Sequence, residues 1–225
     1  MSVEATQEKW DRAYSACSED EPRPANVLVE NAHLLPPVGD ALDLACGLGG
    51  NALFLAHRGF RVNAWDISSV AIARLVTLAR RLRLKIEANV RDVESEPFPR
   101  RAFDVVTVSH FLARPLAGPI CDSLRPGGLL FYQTFVRDKP DPQGPNNPNY
   151  LLAENELLQL FGGLRVLFYR EEGLVGDLTA GNRNEAYFVG QRKNYSTPDG
   201  ICYPVRNVSC SGGFVKTSTK GQKWD

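Results

Sequence analysis

A chain of 225 residues with 43% apolar side chains has room for one core of ordinary size. Lys plus Arg and Asp plus Glu number 26 each, so the formal net charge is zero and a broad electrostatic footprint for nucleic acid is not expected. No charged segment leads into an apolar core at the start of the sequence, and no run is long enough to span a bilayer. The expectation is a cytoplasmic protein with no membrane partner.

Residues 4 to 16 carry Trp10, Ala13 and Tyr14 among charges, the pattern of a short amphipathic helix, and Ser18-Glu19-Asp20-Glu21 breaks it. A second helix is expected from Ala25 to Leu35. From Ala41 the sequence turns short and apolar apart from Asp43, as in a buried parallel strand, and Gly47, Gly49 and Gly50 end it sharply. Leu53, Phe54, Ala56 and His57 then recur at helical spacing, so the glycines lie where a strand turns into a helix, a crevice that takes nucleotide-like ligands. Gly47-x-Gly49-x-x-Ala52 satisfies the loose dinucleotide fingerprint, which is weak alone. Asp43, four residues before the first glycine, argues against a pyrophosphate, because two anions would be forced together. An acidic strand end suits a cationic ligand such as S-adenosylmethionine, which carries a sulfonium and an ammonium group and no phosphate.

Arg61 to Trp65 reads as a second strand ending in Asp66, 17 residues after Gly49, where an acid accepts both ribose hydroxyls of an adenosine. The alternative is an N-cap, since Ser68 and Ser69 open a helix over 70–83. Lys85 to Val90 is a third strand, followed by Asp92. Phe103 to Ser109 is β-branched and apolar, a central strand whose end carries His110. His110 is open to two readings, a general base or substrate contact, and a histidine packed beside the ligand with no proton role; His33 and His57 are structural. Five cysteines, Cys17, Cys46, Cys121, Cys202 and Cys210, are an odd number without a CxxC pair and fit reduced thiols, with no metal site expected.

A helix over Pro115 to Leu124 ends at Arg125-Pro126-Gly127-Gly128, a turn that launches a fifth strand, Leu129 to Phe135. Val136 to Tyr150 holds four prolines, three asparagines and two aspartates, a loop expected to meet substrate, with Arg137 and Lys139 as anion contacts or as solvated charges. A helix over Glu154 to Phe161 and strands over Arg165 to Arg170 and Glu185 to Gln191 complete the domain. Asn194 to Asp225 is rich in Ser, Thr, Gly and Lys without periodicity, an extension, and Asn207-Val208-Ser209 within it is a chance glycosylation match.

Three stretches, Asp-Leu-Ala-Cys-Gly-Leu-Gly-Gly-Asn (43–51), Val-Asn-Ala-Trp-Asp (62–66) and Arg-Pro-Gly-Gly-Leu-Leu-Phe-Tyr (125–132), resemble the class I S-adenosylmethionine-dependent methyltransferases, within them the tellurite-resistance methyltransferase-like group, over roughly residues 8–192. The resemblance implies an α/β Rossmann-like sheet of seven strands, mostly parallel with an antiparallel last strand and helices on both faces. It implies an N-terminal helical lid or cap over 1–40 and a methyltransferase domain over 41–193, and it leaves the extension over 194–225 without a counterpart. The implied cofactor contacts are Asp43, Cys46, Gly47, Gly49 and Asn51 at the first turn, Asp66 and Ile67 at the second strand, and Asp92, Val93 and Ser109 beyond. Asp92 would reach the adenine amino group and the Val93 amide its ring. In the resembled motif Cys46 packs at the turn; a nucleophilic thiol at a helix N-terminus is the other reading. Trp10-Asp11-Arg12-Ala13-Tyr14 looks like the Trp-Asp-x-x-Tyr segment that covers the pocket in that group, or Trp10 and Tyr14 only anchor a helix.

The function expected is methyl transfer from S-adenosylmethionine to a small-molecule nucleophile. Alignment alone supplies much of the acceleration of an in-line displacement, so no obligatory catalytic residue follows. A thiol, selenium or tellurium acceptor arrives anionic and needs only positioning, by groups such as Arg114, Arg137 or Arg183; a hydroxyl or amine needs a base, and His110 is the first candidate. The resemblance favours the soft anion. The rivals are an NAD-dependent or nucleotide-sensing domain and a non-catalytic partner subunit that keeps the binding site. An RNA-modifying enzyme is a lesser variant, since the Pro-Pro-aromatic group that amine-methylating relatives carry after the fourth strand is absent.

Overall fold

The structure, a computed structural model, describes residues 3–18 and 20–194. The expectations for the extension, Cys202, Cys210 and Asn207 lie outside the described residues.

Seven strands, β1 (Asp40–Leu44), β2 (Arg61–Asp66), β3 (Ile86–Val90), β4 (Phe103–Ser109), β5 (Leu124–Phe135), β6 (Arg165–Arg170) and β7 (Glu185–Gln191), form one sheet in the order β3-β2-β1-β4-β5-β7-β6. The strands from β3 through β5 pair in parallel, and β7 runs antiparallel between β5 and β6. Val105 to Val108 of β4 are buried without alternation because both faces of the sheet are covered. Val105, Leu129 and Phe131 face the layer of α2 (Asn26–Glu30), α3 (Gly50–His57) and α4 (Ser69–Arg81). Val106, Val108, Leu130 and Tyr132 face that of α5 (Ala117–Ser123) and α6 (Glu156–Leu160). Leu42, Leu44 and Leu130 are fully buried, each worth about 2 kcal/mol of transfer free energy. The amphipathic N-terminal helix is α1 (Val3–Ser15), which buries no residue and packs on α4.

Three local expectations change. The helix expected over 25–35 divides into α2 and a 3-10 turn at Ala32–Leu34, because the Asn31 side chain donates back to the Val27 carbonyl at 3.0 Å and its backbone leaves the helical region. The helix expected over 115–124 begins as a 3-10 turn at Arg114–Leu116 and becomes α5 at Ala117. Arg125 to Gly128 does not precede the fifth strand but lies within it, as an irregularity where the β4 pairing shifts between Phe103 and Val105. Among the described residues no helix is long and apolar enough to cross a membrane.

Candidate active site

The carboxyl ends of β1, β2, β3 and β4 open on a cavity of about 460 Å³, within the range of small-molecule sites. Its floor is the turn after β1. Gly47 has φ +52°, and a Cβ there would lie 2.8 Å from the Tyr14 hydroxyl, so both backbone and space call for glycine. Gly50 opens α3 where a Cβ would meet the Arg23 carbonyl at 2.1 Å, because the segment leading to α2 passes directly over it. The Ala25 amide closes that crossing by donating to Asn51 Oδ1 at 2.8 Å. Asn51 Nδ2 donates to Ser109 Oγ at 3.1 Å and to Asp43 Oδ1 at 3.2 Å, joining the first turn to the end of β4.

Asp66 stands at the end of β2 and accepts from the Gly47 amide at 2.8 Å through one oxygen and from the Ser68 amide at 2.8 Å through the other. The residue lines the cavity. Burial raises its carboxyl above the ordinary range. The N-cap of α4 is Ser68, whose hydroxyl accepts from the Ala71 amide at 3.1 Å, so Asp66 is not needed there. Ile67, Asp92 and Val93 line the same cavity; Asp92 orders its own turn by accepting from the Glu94 amide at 3.1 Å and the Ser95 hydroxyl at 2.7 Å.

At the end of β4, His110 adopts φ +54°, a left-handed conformation that costs a non-glycine residue about 1 kcal/mol. It is held there by its amide on the Gln133 carbonyl at 2.8 Å and by stacking on Phe135 with ring centroids 5.0 Å apart. Its Nε2 lies 2.6 Å from Glu185 Oε1. Trp10 and Tyr14 of α1 stack on each other 5.8 Å apart, and both line the cavity.

Several residues expected at the site lie off the cavity or are already bonded elsewhere in the fold. Asp43 is fully buried and does not line the cavity: its carboxyl group accepts from the Ala52 amide of the first turn of α3 at 3.0 Å and from the Thr107 hydroxyl at 3.0 Å, and it also holds Asn51. Burial pushes it up to about 7 against the pull of those donors. Arg114 is bidentate to Glu156 at 2.6 and 3.0 Å and donates to the Asn149 and Leu151 carbonyls, which fixes the loop before α6. Arg183 donates to the carbonyls of Ala180, Gly173, Val175 and Asp177. Arg137 is exposed, and none of the three arginines lines the cavity. Lys139 likewise turns inward on its own loop, to the Gln143 and Pro145 carbonyls. The Cys46 thiol is buried at the turn and pushed well above its ordinary range by desolvation, which removes the nucleophilic reading. Asn147-Pro148-Asn149-Tyr150 is a 3-10 turn closed by Asn147 accepting from the Asn149 amide at 3.0 Å. Sequence reasoning missed Glu185, Gln133, Arg23 and Glu94. Glu185 had one readable signal, its place as the first residue of a strand antiparallel to β5, but the register decides its neighbour: it pairs with Phe135, the ring beneath His110.

The arrangement fits a cationic nucleoside better than a dinucleotide. Asp66, Asp92 and Glu94 line the cavity, Arg23 is the arginine that does so among the described residues, and the Gly47 amide that a pyrophosphate would use is already bonded to Asp66.

Residues 41–128 match the family described as a methyltransferase domain. The chain is 29% identical over 139 residues to hemagglutinin 1 of Eikenella corrodens, covering 58% of this chain and 45% of that protein. It is 27% identical over 165 residues to the probable S-adenosyl-L-methionine-dependent methyltransferase TehB of Haemophilus influenzae, covering 70% of this chain and 56% of that protein. The crystal structure of TehB from Haemophilus influenzae superposes with a TM-score of 0.62 at 21% identity over 83% of this chain and 67% of that one, a likeness of fold. The chain spans about half the length of these curated relatives.

Proposed function

We propose, from the premise that this chain carries a class I S-adenosylmethionine-dependent methyltransferase domain similar to TehB, that it transfers a methyl group from S-adenosylmethionine to a small-molecule nucleophile. The observation that carries the reading is the acid Asp66, bonded to the Gly47 amide at 2.8 Å and facing a cavity that Asp92, Val93, Ser109 and His110 share. When bound, S-adenosylmethionine supplies a methyl group made electrophilic by its sulfonium. Asp66 would hold the ribose hydroxyls, Asp92 and Val93 the adenine edge, and the Ala45 to Gly50 turn the amino-acid end. Asp43 serves this set indirectly, by fixing Asn51 and the start of α3. Trp10, Tyr14 and His110 would face the acceptor. Thiol, selenium and tellurium species belong to this class of small nucleophiles. Their anionic anchoring by Arg114 and Arg183 loses support, since Arg114 is bonded to Glu156 and to the Asn149 and Leu151 carbonyls, and Arg183 to carbonyls of its own loop.

Removing Asp66 deletes two hydrogen bonds to a carboxylate, each worth about 1.5 kcal/mol or more, so Asp66→Ala should weaken S-adenosylmethionine binding by about 100-fold with the circular dichroism spectrum unchanged. Gly47→Val should weaken it as well. Unchanged affinity in both variants refutes the placement.

A further inference from the structure

We infer that Glu185 is the positioning residue of a proton-accepting pair with His110, and that the pair selects an acceptor which arrives still carrying its proton, a hydroxyl or an amine. The inference rests on the methyl-transfer reading and names its substrate class.

A chain of hydrogen bonds to the His110 ring starts at a backbone donor in α2. The buried Val27 amide donates to Gln133 Oε1 at 2.9 Å, which fixes the orientation of that side-chain amide. Gln133 Nε2 must then point the other way, and it donates to Glu185 Oε2 at 2.6 Å. The second carboxylate oxygen, Oε1, faces His110 Nε2 at 2.6 Å, and the carboxylate side chain is only 14% exposed. A carboxylate held by a donor on one side accepts on the other as well, so Nε2 carries the hydrogen. The lone pair of the neutral ring is left on Nδ1, which has no partner among the described residues, on a side chain that lines the cavity. The strained backbone of His110 and its stack on Phe135 hold the ring in this one placement.

Such a pair does nothing useful for an acceptor that is already an anion. For a hydroxyl or an amine it has a definite task. The proton passes from the acceptor's O–H or N–H to Nδ1 as the acceptor's electron pair forms the bond to the methyl carbon, and the carbon–sulfur pair stays on sulfur. Glu185 then faces the imidazolium until solvent removes the proton.

Glu185→Gln tests this without altering shape. Because Gln133 still presents a donor, the new side chain must turn its carbonyl toward Gln133 and its amide hydrogens toward His110. Nε2 becomes the acceptor and the hydrogen moves to Nδ1. Long-range nitrogen–proton correlation spectra of the purified protein, with His110 assigned through His110→Ala, should show the Nε2–H tautomer in the parent and the Nδ1–H tautomer in Glu185→Gln. The Nδ1–H form in the parent, or one tautomer in both proteins, overturns the pair. In turnover, Glu185→Gln should lower kcat for phenol or amine acceptors by 10-fold or more, with acceptor KM and S-adenosylmethionine affinity changed by less than threefold. The loss with hydrosulfide, which arrives ionised, should be threefold at most. Equal losses on both acceptor types, or none on either, overturn the substrate class; absence of S-adenosylmethionine binding to the parent would instead overturn the underlying reading, and the tautomer measurement stands apart from both.

Discussion

Asp43 carries the clearest consequence for a single residue. The unfolded chain titrates this carboxyl at about 3.9, and burial raises it to about 7 in the fold, so between those values the folded state holds a proton that the unfolded state has lost. Its contribution to stability is complete below about pH 4 and is lost as pH rises through about 7, with a ceiling of about 4 kcal/mol. Urea unfolding of the parent at pH 5 and pH 8 should therefore show a steeper decline than Asp43→Asn, and identical pH slopes would contradict the assignment. In sequence, Asp43 pointed to a cationic ligand, whereas in the structure it accepts a first-turn amide of α3 from beneath the turn. The spacing of Asp43 before Gly47 marked the right turn but not which way the side chain faces. Asp66 was the more legible, since a carboxylate at the end of a second strand reaches the crevice from the strand's direction alone.

At the scale of elements, α1 is tied down by polar contacts at both ends of one interface. Asp11 sits on the N-terminus of α4, accepting from the Ser68 hydroxyl at 2.5 Å, the Ser69 hydroxyl at 3.1 Å and the Val70 amide at 3.2 Å, and the Ser68 bond most of all draws its carboxyl below the ordinary range. Arg74 of α4 in return donates to the Tyr14 and Cys17 carbonyls at 2.7 and 3.3 Å, and to that of Ser18. With no buried residue in α1, these clasps rather than apolar packing hold it over the cavity. We propose that it is a lid. Asp11→Ala together with Arg74→Ala should raise amide exchange throughout α1, speed the release of S-adenosylmethionine by about 10-fold, and change global stability by no more than about 1 kcal/mol. Unaltered release with α1 loosened would leave Trp10 and Tyr14 as anchors only.

Across the whole molecule, the parts readable from sequence are those whose signal is local. The largely apolar stretches of β1 and β4, the glycine turn and the placement of Asp66 all follow from residues a few positions apart. What was not readable depends on distant segments. Arg114 looked like a free cation, but Glu156 and the Asn149 and Leu151 carbonyls, 35 to 42 residues further on, fold around it. Glu185, 75 residues from His110, reaches it because β7 inserts antiparallel between β5 and β6. All of these features converge on one claim, that the cavity receives S-adenosylmethionine. Calorimetric titration of the parent protein with S-adenosylmethionine, S-adenosylhomocysteine and NAD side by side tests it most directly. Micromolar binding of the first two with none of the third is the predicted result; binding of NAD alone, or of none of the three, would contradict it.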